Sequence, residues 1–416
     1  HLSIRRQRQM CIRDRLITNK APTENNVYTV NIDESALDKH GQWPFDRRVY
    51  ADLIEDLYKR NAGLVVFNVL MTEKDRQGGD GALAATLNEF PVVLPNIVHE
   101  ASRNKPRQPS TATIGNEHAG YIVQGGGIIA NQTLLEQRAA GTGFVNTFPE
   151  PVDGVVRRMP LVIAVDGVVY PNLAMEALRA AAGDSTTQIK LFEGGVEKMR
   201  IPAFGPISTD ALGRVWIDWS QKNKEASMTN LPKDFEGAVV IVGVAAAGLG
   251  NPVPTAIGEV WPQAVQAAVL GTMFNGVVIQ RPDYAEGLEI ITLALAGILL
   301  IFLTRYVYAG MATTVIIIAG SAVGSWYVFT NYLWLFDATA PGVGLLVVAL
   351  HAYGVKFVSE FLQKQAIKKQ FAGYCSKEVV EMLQKDPDLI KRGVRKDVSV
   401  MFSDLRGFTP VSYTHL

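Results

Sequence analysis

The chain contains 416 residues, and its 40 Lys and Arg balance 40 Asp and Glu, so the formal net charge is zero. A nucleic-acid-binding protein that neutralises phosphates needs a basic excess, which this composition does not supply. The two cysteines, Cys11 and Cys375, cannot form a disulfide framework or a cysteine-based zinc site. Hydrophobic residues make up 48% and charged residues 19% of the chain, so apolar residues must be concentrated somewhere.

Residues 1–26 form an atypical basic segment with five arginines: Arg5, Arg6, Arg8, Arg13 and Arg15. Such a run can bind nucleic acid or a membrane surface, or it can be a cloning or assembly scar. The stretch RQRQMCIRDR, like VSYTHL at the other end, resembles translated sequencing adaptor, and we interpret both as scars. The segment shows neither the signal peptide nor the anchoring helix that export of the following domain requires.

The first half of residues 27–284 alternates between strand and helix signals. Asp46 and Asp80 each precede a stretch with one apolar face, and we predict that each caps a helix. Strands are predicted at residues 27–32, which are β-branched and alternating, and at two short apolar stretches, residues 64–67 and 92–94. This alternation favours a largely parallel sheet with helices packed on it.

From residue 144 onward the pattern changes to hairpins. Asp166 and Gly167 separate VIAV from VVY, a strong signal for a two-residue hairpin turn, and residues 152–154 mark another turn. A helix from Asn172, a strand over residues 239–244 and a helix over residues 263–274 complete the domain. We therefore predict an α/β domain with a mixed sheet and flanking helices.

Few residues of this domain suggest chemistry. Asp33 and Glu34 are a carboxylate pair that could act as acid and base, but strand-end acids at a turn explain them better. Arg157 and Arg158 occupy adjacent strand positions, so one points outward, where it binds an anion or belongs to a solvated face. The glycine cluster Gly125, Gly126 and Gly127 matches no phosphate-binding motif and predicts a flexible loop. The histidines His40, His99 and His118 lack the spacing of a metal site.

Several blocks of this domain resemble the CHASE2 domain, an extracytoplasmic sensory module of bacterial receptors. NIDESAL, GQWPFDRRVYADLI and GLVVFNVL resemble its opening, GFVNTFPEPVDGVVRRMPLV and YPNLAMEAL its middle, and IVGVAAAGLG with a closing RP its end. The resemblance spans nearly all of residues 27–284, and the WPF and DGVVRR blocks are its most specific parts. It implies a sensor whose ligand is unknown, followed by three membrane helices.

The apolar excess lies in residues 290–355, whose only Asp, Glu, Lys or Arg side chains are Arg305 and Asp337. At about 1.5 Å per helical residue, this stretch makes roughly three crossings of a hydrocarbon core about 30 Å thick. Two spans, or buried helices of a soluble protein, are weaker alternatives. We predict three transmembrane helices within residues 288–355, at 290–304, 308–329 and 333–354, with Glu289 reaching the interface.

Cations follow the first and third spans, whereas the turn between the second and third has none. The positive-inside rule therefore places residues 27–284 outside and residues 356–416 in the cytoplasm of a bacterial inner (plasma) membrane. Residues 356–389 are predicted to form a signalling helix and linker, which contacts anionic lipid, dimerises or does both. The cations are Arg305, Lys356, Lys364, Lys368 and Lys369.

Residues 390–416 include RKDVSVMFSDLRGFT, in which residues 398–402 predict a strand that ends at Asp404. A strand-end carboxylate followed by a glycine turn suits metal and phosphate binding. Together with FxxYxSxEVV at residues 371–380, this segment resembles the start of class III adenylate or guanylate cyclase domains. The resemblance implies a homodimer that binds two Mg²⁺ (or Mn²⁺) ions and a triphosphate. Asp404 and the Leu405 carbonyl would bind the metal. The triphosphate would be bound by Gly407, Phe408 and Thr409.

The implied activity is formation of a cyclic nucleotide from ATP or GTP. The resemblance stops after Thr409, so no catalytic residue lies within the chain as given, and we expect this chain alone to be inactive. The predicted fold is an α/β extracytoplasmic sensor domain, three transmembrane α-helices and a truncated α/β cyclase start. The alternative is a non-enzymatic CHASE2 membrane sensor whose inner stub binds a partner.

Overall fold

A computed structural model describes residues 24–276, 278–282, 284–372, 399 and 401–403. The chain divides into two compact units, which are described separately. The first contains residues 1–295 and 315–344, and the second contains residues 296–314 and 345–416.

Nine α-helices and one 3₁₀ helix, Asn116–Tyr121, lie in the described residues. The first six belong to the α/β domain, and the last three are the long apolar helices. The α-helices are α1 Glu34–His40, α2 Arg47–Lys59, α3 Asp80–Glu89, α4 Thr133–Arg138, α5 Leu173–Ala181, α6 Pro262–Phe274, α7 Ala285–Leu303, α8 Val307–Tyr332 and α9 Thr339–Ala372.

Eighteen strands lie in the described residues, all of them before the first apolar helix. They are β1 Glu24–Ile32, β2 Leu64–Phe67, β3 Val92–His99, β4 Thr111–Ile114, β5 Gln124–Gly125, β6 Gly127–Ile129, β7 Gly141–Phe144, β8 Arg158–Pro160, β9 Val162–Val165, β10 Val168–Pro171, β11 Thr187–Phe192, β12 Gly195–Ile201, β13 Gly205–Ile207, β14 Arg214–Trp216, β15 Lys222–Ser227, β16 Val239–Val244, β17 Val253–Thr255 and β18 Gly258–Val260.

The central sheet has seven strands in the order β15-β1-β16-β2-β3, and β3 also pairs with both β6 and β7. Every pair is parallel except β3 with β6, so the predicted mixed, largely parallel sheet is confirmed. Strand β16 lies between β1 and β2, with Val239 opposite both Val27 and Leu64. Smaller sheets are formed by β10-β9-β5, β13-β12-β11-β4, β14-β8 and β17-β18.

Helices cover both faces of the central sheet and create two hydrophobic cores. Neighbouring residues of a strand point to opposite faces, so Val239 belongs to one core and Val240 to the other. Helices α2 and α3 close one face, which we call the α2–α3 core. Helices α5 and α6 close the other face, which we call the α5–α6 core.

Most of the predicted local signals are confirmed. Asp46 caps α2 by accepting a hydrogen bond from the N–H of Arg48, and Asn172 caps α5 through the N–H of Ala174. Val165 faces Val168 across the Asp166-Gly167 turn, so β9 and β10 form the expected hairpin. The strand predicted over residues 92–94 is longer, because its second half pairs with β6.

Three local predictions were wrong. Asp80 does not cap α3 but is its first residue, and its Oδ2 accepts the N–H of Asp75, 2.9 Å away. Residues 151–153 form a turn, but β7 and β8 on either side pair with β3 and β14, so no hairpin results. The glycines at 125–127 form strand ends rather than a flexible loop, and a Cβ at Gly127 would lie 2.7 Å from the backbone N of Ser102.

Three helices are long and apolar enough to cross a membrane: Ala285–Leu303, Val307–Tyr332 and Thr339–Lys369. The third begins at Thr339 rather than at residue 333. Leu333 ends the preceding helix with a positive φ, and the carbonyl of Leu333 and the N–H of Leu335 both bond to the backbone of Gln280. Helix α9 then continues without a break to Ala372, which confirms that the lysine-rich stretch extends the third apolar helix.

Candidate functional site

A cleft of about 610 Å³ lies in the α/β domain, among the residues that the structure describes. Pockets for small ligands generally have volumes of about 300–1,000 Å³. One wall is the ladder of β8 with β14, the second is the loop after β13 with nearby residues of β11 and β12, and the third is the linker of residues 278–282. The linker leads directly into α7, so the cleft adjoins the start of an apolar helix.

Two arginines on the β8–β14 ladder share one carboxylate. Arg158 on β8 lies over the Trp216 ring, 5.0 Å from its centroid, and its Nη2 lies 2.6 Å from Oε1 of Glu150. Its Nη1 is 4.0 Å from Oδ2 of Asp210, which accepts a 2.8 Å hydrogen bond from Nε of Arg214. The N–H groups of Leu212 and Arg214 also donate to Asp210, which fixes the loop that carries it. The ladder therefore presents two guanidinium groups in fixed positions.

The linker is tied by its backbone to the loop between α8 and α9. The N–H of Gln280 donates to the carbonyl of Leu333 at 3.0 Å, and its carbonyl accepts from the N–H of Leu335 at 2.8 Å. Ile279, Phe329 and Leu335 are 6%, 5% and 1% exposed and belong to the α5–α6 core. The loop between two apolar helices is thus part of the hydrophobic core of the α/β domain.

Glu289 makes a second connection between the linker and the same loop. Its Oε2 accepts a 2.9 Å hydrogen bond from Nη2 of Arg281, and its Oε1 accepts the N–H of Asp337 at 2.7 Å. Asp337 in turn accepts the N–H of Thr339 at the start of α9. Both carboxylate oxygens of Glu289 thus bind within the protein, and its side chain is 13% exposed.

The two arginines singled out in the sequence have different surroundings. Arg157 and Asp153 form an ion pair at 2.9 Å with side chains that are 3% and 5% exposed, so Arg157 is a buried structural residue. Burial would raise the pKa of Asp153, but hydrogen bonds from Arg157 and from the N–H of Val155 outweigh it and hold that pKa below its ordinary value. Arg158 is the one that lines the cleft.

Asp33 and Glu34 serve the local fold. Asp33 caps α1 and accepts hydrogen bonds from the Ser35 hydroxyl at 2.6 Å and the N–H of Ala36 at 3.2 Å. Glu34 accepts the N–H of Ala247 at 2.9 Å, and this bond is the main cause of the lowered pKa of its carboxyl. Asp33 directly follows β1, as expected of a strand-end acid, but the two acids begin a helix rather than a turn, because Asp33 is the N-cap of α1 and Glu34 is its first residue.

The three histidines without metal-site spacing lie in different elements, and the predicted site residues lie elsewhere in the chain. His40, His99 and His118 lie at the end of α1, at the end of β3 and in the 3₁₀ helix. Within the described residues, no group of three or more His, Cys, Asp and Glu side chains could hold a metal ion. The residues implied by the cyclase resemblance lie outside the described residues: Asp404, Leu405, Gly407, Phe408 and Thr409.

The strand predicted over residues 398–402 is not seen where the chain is described. Ser399 and residues 401–403 have no regular secondary structure. Met401 and Phe402 are 86% and 93% exposed. Residues 398 and 400 lie outside the described residues.

An α/β domain joined through a bridged linker to three apolar helices suggests a membrane sensor. The family model of the CHASE2 domain matches residues 4–301, and the chain belongs to the CHASE2 family, whose domain is an extracellular sensor. The match extends beyond residues 27–284 at both ends and reaches into α7. No curated protein and no solved structure matches the chain.

Sequence reasoning missed most of the cleft. Asp210, Arg214 and Trp216 lie in short segments without periodicity, and Gln280 was not singled out. The only available signals were Asp210 and Gly213 around a turn and the arginine pair at 157–158. Neither signal shows that a linker more than 60 residues further along the chain closes the same cavity.

Proposed function

We propose that the chain is the sensing and membrane-spanning part of a bacterial receptor in the inner membrane. Membership of the CHASE2 family and three helices that could cross a membrane support this function. Four lysines follow the third apolar stretch and favour a cytoplasmic position for residues 356–416, with the α/β domain outside: Lys356, Lys364, Lys368 and Lys369.

The signal passes from the cleft to the helices through the linker. The observation that carries this proposal is the pair of backbone hydrogen bonds between Gln280 and the α8–α9 loop. Because Leu335 and Ile279 share one closely packed core, a shift of the linker also displaces the loop between α8 and α9. A change in the cleft therefore reaches the starts of both α7 and α9.

The proposed output is a class III adenylate or guanylate cyclase that begins near residue 390. Its support is the resemblance of residues 398–409, in which Asp404 and the Leu405 carbonyl would hold the two Mg²⁺ or Mn²⁺ ions. Gly407, Phe408 and Thr409 would hold the triphosphate of ATP or GTP. The ribose 3′-hydroxyl attacks the α-phosphorus, pyrophosphate leaves, and the site is completed in a homodimer.

Crosslinking tests the signal path. Gln280 and Trp334 are parallel bridge partners. Neighbouring strands lie about 4.7–4.9 Å apart, which is within the Cα range of a disulfide. The pair Gln280→Cys and Trp334→Cys is placed in a variant in which Cys11 and Cys375 are replaced by serine and the remainder of a class III cyclase domain follows Thr409, so that Asp404 supplies the first metal ligand. We expect oxidation to change cyclic nucleotide production and dithiothreitol to restore it.

The control pair is Arg200→Cys with Pro206→Cys, which joins partners on β12 and β13 within the α/β domain alone. It should crosslink without changing cyclic nucleotide production. The proposed path would be contradicted if both crosslinks changed cyclic nucleotide production equally, or if neither changed it. The output is tested separately by Asp404→Ala in the same fusion, which should abolish production; retained production would favour a non-enzymatic sensor with an inner interaction stub.

A further inference from the structure

We propose that the 610 Å³ cleft binds an anionic amphiphile, a molecule with a carboxylate or phosphate group and an apolar body. The inference rests on the proposed receptor function for its physiological meaning, because a ligand in this cleft touches the linker that leads to α7. The argument depends on three properties of the cleft: its unused hydrogen-bond donors, its exposed apolar side chains and its position beside an apolar helix.

Unused donors indicate an anionic group. Arg214 donates through Nε to Asp210, and its Nη1 and Nη2 have no hydrogen-bond partner among the residues that the structure describes. Arg158 uses Nε and Nη2 on Glu150, whereas the one polar contact of its Nη1 within the described part of the chain is Asp210, 4.0 Å away. A guanidinium edge with two outward N–H groups matches two oxygens of one carboxylate or phosphate.

Net charge alone would not attract this ligand. Glu197, the other carboxylate of the cleft, is paired with Lys190 at 2.8 Å, and Arg281 is paired with Glu289. Each charged side chain of the cleft thus has an opposite partner. The specificity for an anion therefore comes from the geometry of the free Nη groups rather than from a positive field.

Exposed apolar side chains indicate the second part of the ligand. Phe192 and Leu212 line the cleft and are 44% and 37% exposed. Burying them under an alkyl or aromatic body removes apolar surface from water, which is favourable. A small inorganic anion would leave this surface uncovered, so an amphiphile fits the cleft better.

The position of the cleft allows two sources of such a molecule. Arg281 and Pro282 line the cleft, and α7 begins at Ala285. If α7 crosses the membrane, the cleft lies at the level of the lipid headgroups of the outer leaflet. A soluble organic acid with an alkyl or aromatic body and an anionic lipid, through its headgroup oxygens and acyl chains, both offer the required groups.

Binding is tested with the full chain in phosphatidylcholine nanodiscs, with tritiated laurate as the probe and empty nanodiscs to correct for partitioning into lipid. We expect saturable binding that Arg214→Gln weakens about tenfold, the effect of losing one charge-assisted contact. Phe192→Ala should weaken binding less, and because Phe192 is largely exposed this variant should fold normally. Arg200→Gln, an exposed arginine outside the cleft, should bind as tightly as the parent.

Further measurements identify the source. If phosphatidylglycerol in the nanodiscs raises the apparent Kd of laurate, the lipid headgroup is the source; an unchanged Kd supports a soluble acid. If inorganic phosphate displaces tritiated laurate as effectively as unlabelled laurate does, the proposal that the ligand is an amphiphile is overturned. Absence of saturable binding, or equal Kd values for the parent and Arg214→Gln, would overturn the site. The Gln280–Trp334 crosslink needs no ligand, so its effect on cyclic nucleotide production remains measurable if laurate fails to bind. The two experiments therefore distinguish a wrong ligand class from a wrong signal path.

Discussion

The two hydrophobic cores on opposite faces of the central sheet differ in what closes them. The α2–α3 core consists of residues from the strands and helices of the α/β domain, with Tyr50 and Phe67 among its largest fully buried side chains. The α5–α6 core also contains Ile279 from the linker, Phe329 from the last turn of α8 and Leu335 from the loop between α8 and α9. One face therefore only stabilises the domain, whereas the other also connects it to the membrane helices.

The test with the largest expected effect compares one leucine in each core. Leu83 and Leu335 are each 1% exposed, so Leu83→Ala and Leu335→Ala should each lower the free energy of unfolding by about 2–4 kcal/mol. Only Leu335→Ala should also slow the oxidation of the Gln280→Cys and Trp334→Cys pair, because it loosens the loop that holds residue 334. Denaturant unfolding and the rate of disulfide formation measure the two effects.

The comparison would fail if Leu83→Ala slowed crosslinking as much as Leu335→Ala. In that case both cores would hold the loop equally, and the α2–α3 face would also belong to the signal path. Leu346→Ala serves as the matched control, because this leucine of α9 is 48% exposed. It should change neither measurement.

The alternating face preference of the strands is what made the domain predictable. Residues 27–32, 64–67 and 239–244 each form a short apolar run between turn signals, and these local patterns gave the strands and the α/β class. The order of strands was not predictable, because β16 enters between β1 and β2 from more than 170 residues away in sequence. Long-range pairing of this kind leaves no periodic signal in the chain.

The linker and the α8–α9 loop illustrate the same limit at the candidate site. Trp334 and Leu335 are apolar and follow an apolar helix, so composition assigned them to the third span. Their backbone instead pairs with Gln280 in an isolated bridge, which has no sequence signature. Asp80 failed as a predicted cap for a similar reason, since its carboxylate is taken by the N–H of Asp75.

A second test compares one acid near each core by the pH dependence of stability. Asp153 lies beside buried Arg157, and Asp75 accepts the N–H groups of Gly79 and Arg47 near the start of α2. For both acids, burial would raise the pKa, but hydrogen bonds outweigh it and lower the pKa. A lowered pKa in the folded state contributes stability above the pKa of the unfolded state, and that stability is lost as the pH falls through the folded value.

We expect Asp153→Asn to lower the free energy of unfolding by about 2 kcal/mol at pH 7, because it removes a charged partner of Arg157. Asp75→Asn should cost less, since its amide oxygen still accepts backbone N–H groups. Urea unfolding from pH 7 to pH 3 should show that each variant loses less stability than the parent below about pH 4, where aspartate titrates. Parallel curves for the parent and Asp153→Asn would show that the ion pair does not contribute.

The smallest expected effect concerns the other end of α7, which lies in the second unit. Lys356 on α9 donates from Nζ to the carbonyl of Thr304 at 2.6 Å and lies 3.4 Å from that of Arg305. These carbonyls follow the end of α7, where the partial negative charge of a helix is greatest, and a cation there contributes about 0.3–1 kcal/mol. Lys356→Met should therefore lower the free energy of unfolding in detergent by about that amount.

Lys364→Met is the matched control, because Lys364 is an exposed lysine two turns further along the same helix. It removes one positive charge without removing a contact to α7, and it should leave the free energy of unfolding unchanged. Equal losses in the two variants would mean that net charge, not the bond to Thr304, is responsible. A loss confined to Lys356→Met would instead show that α7 is held at both ends, by Glu289 beside the linker and by Lys356 at the other terminus. Movement of α7 would then have to break or carry along a contact at each end.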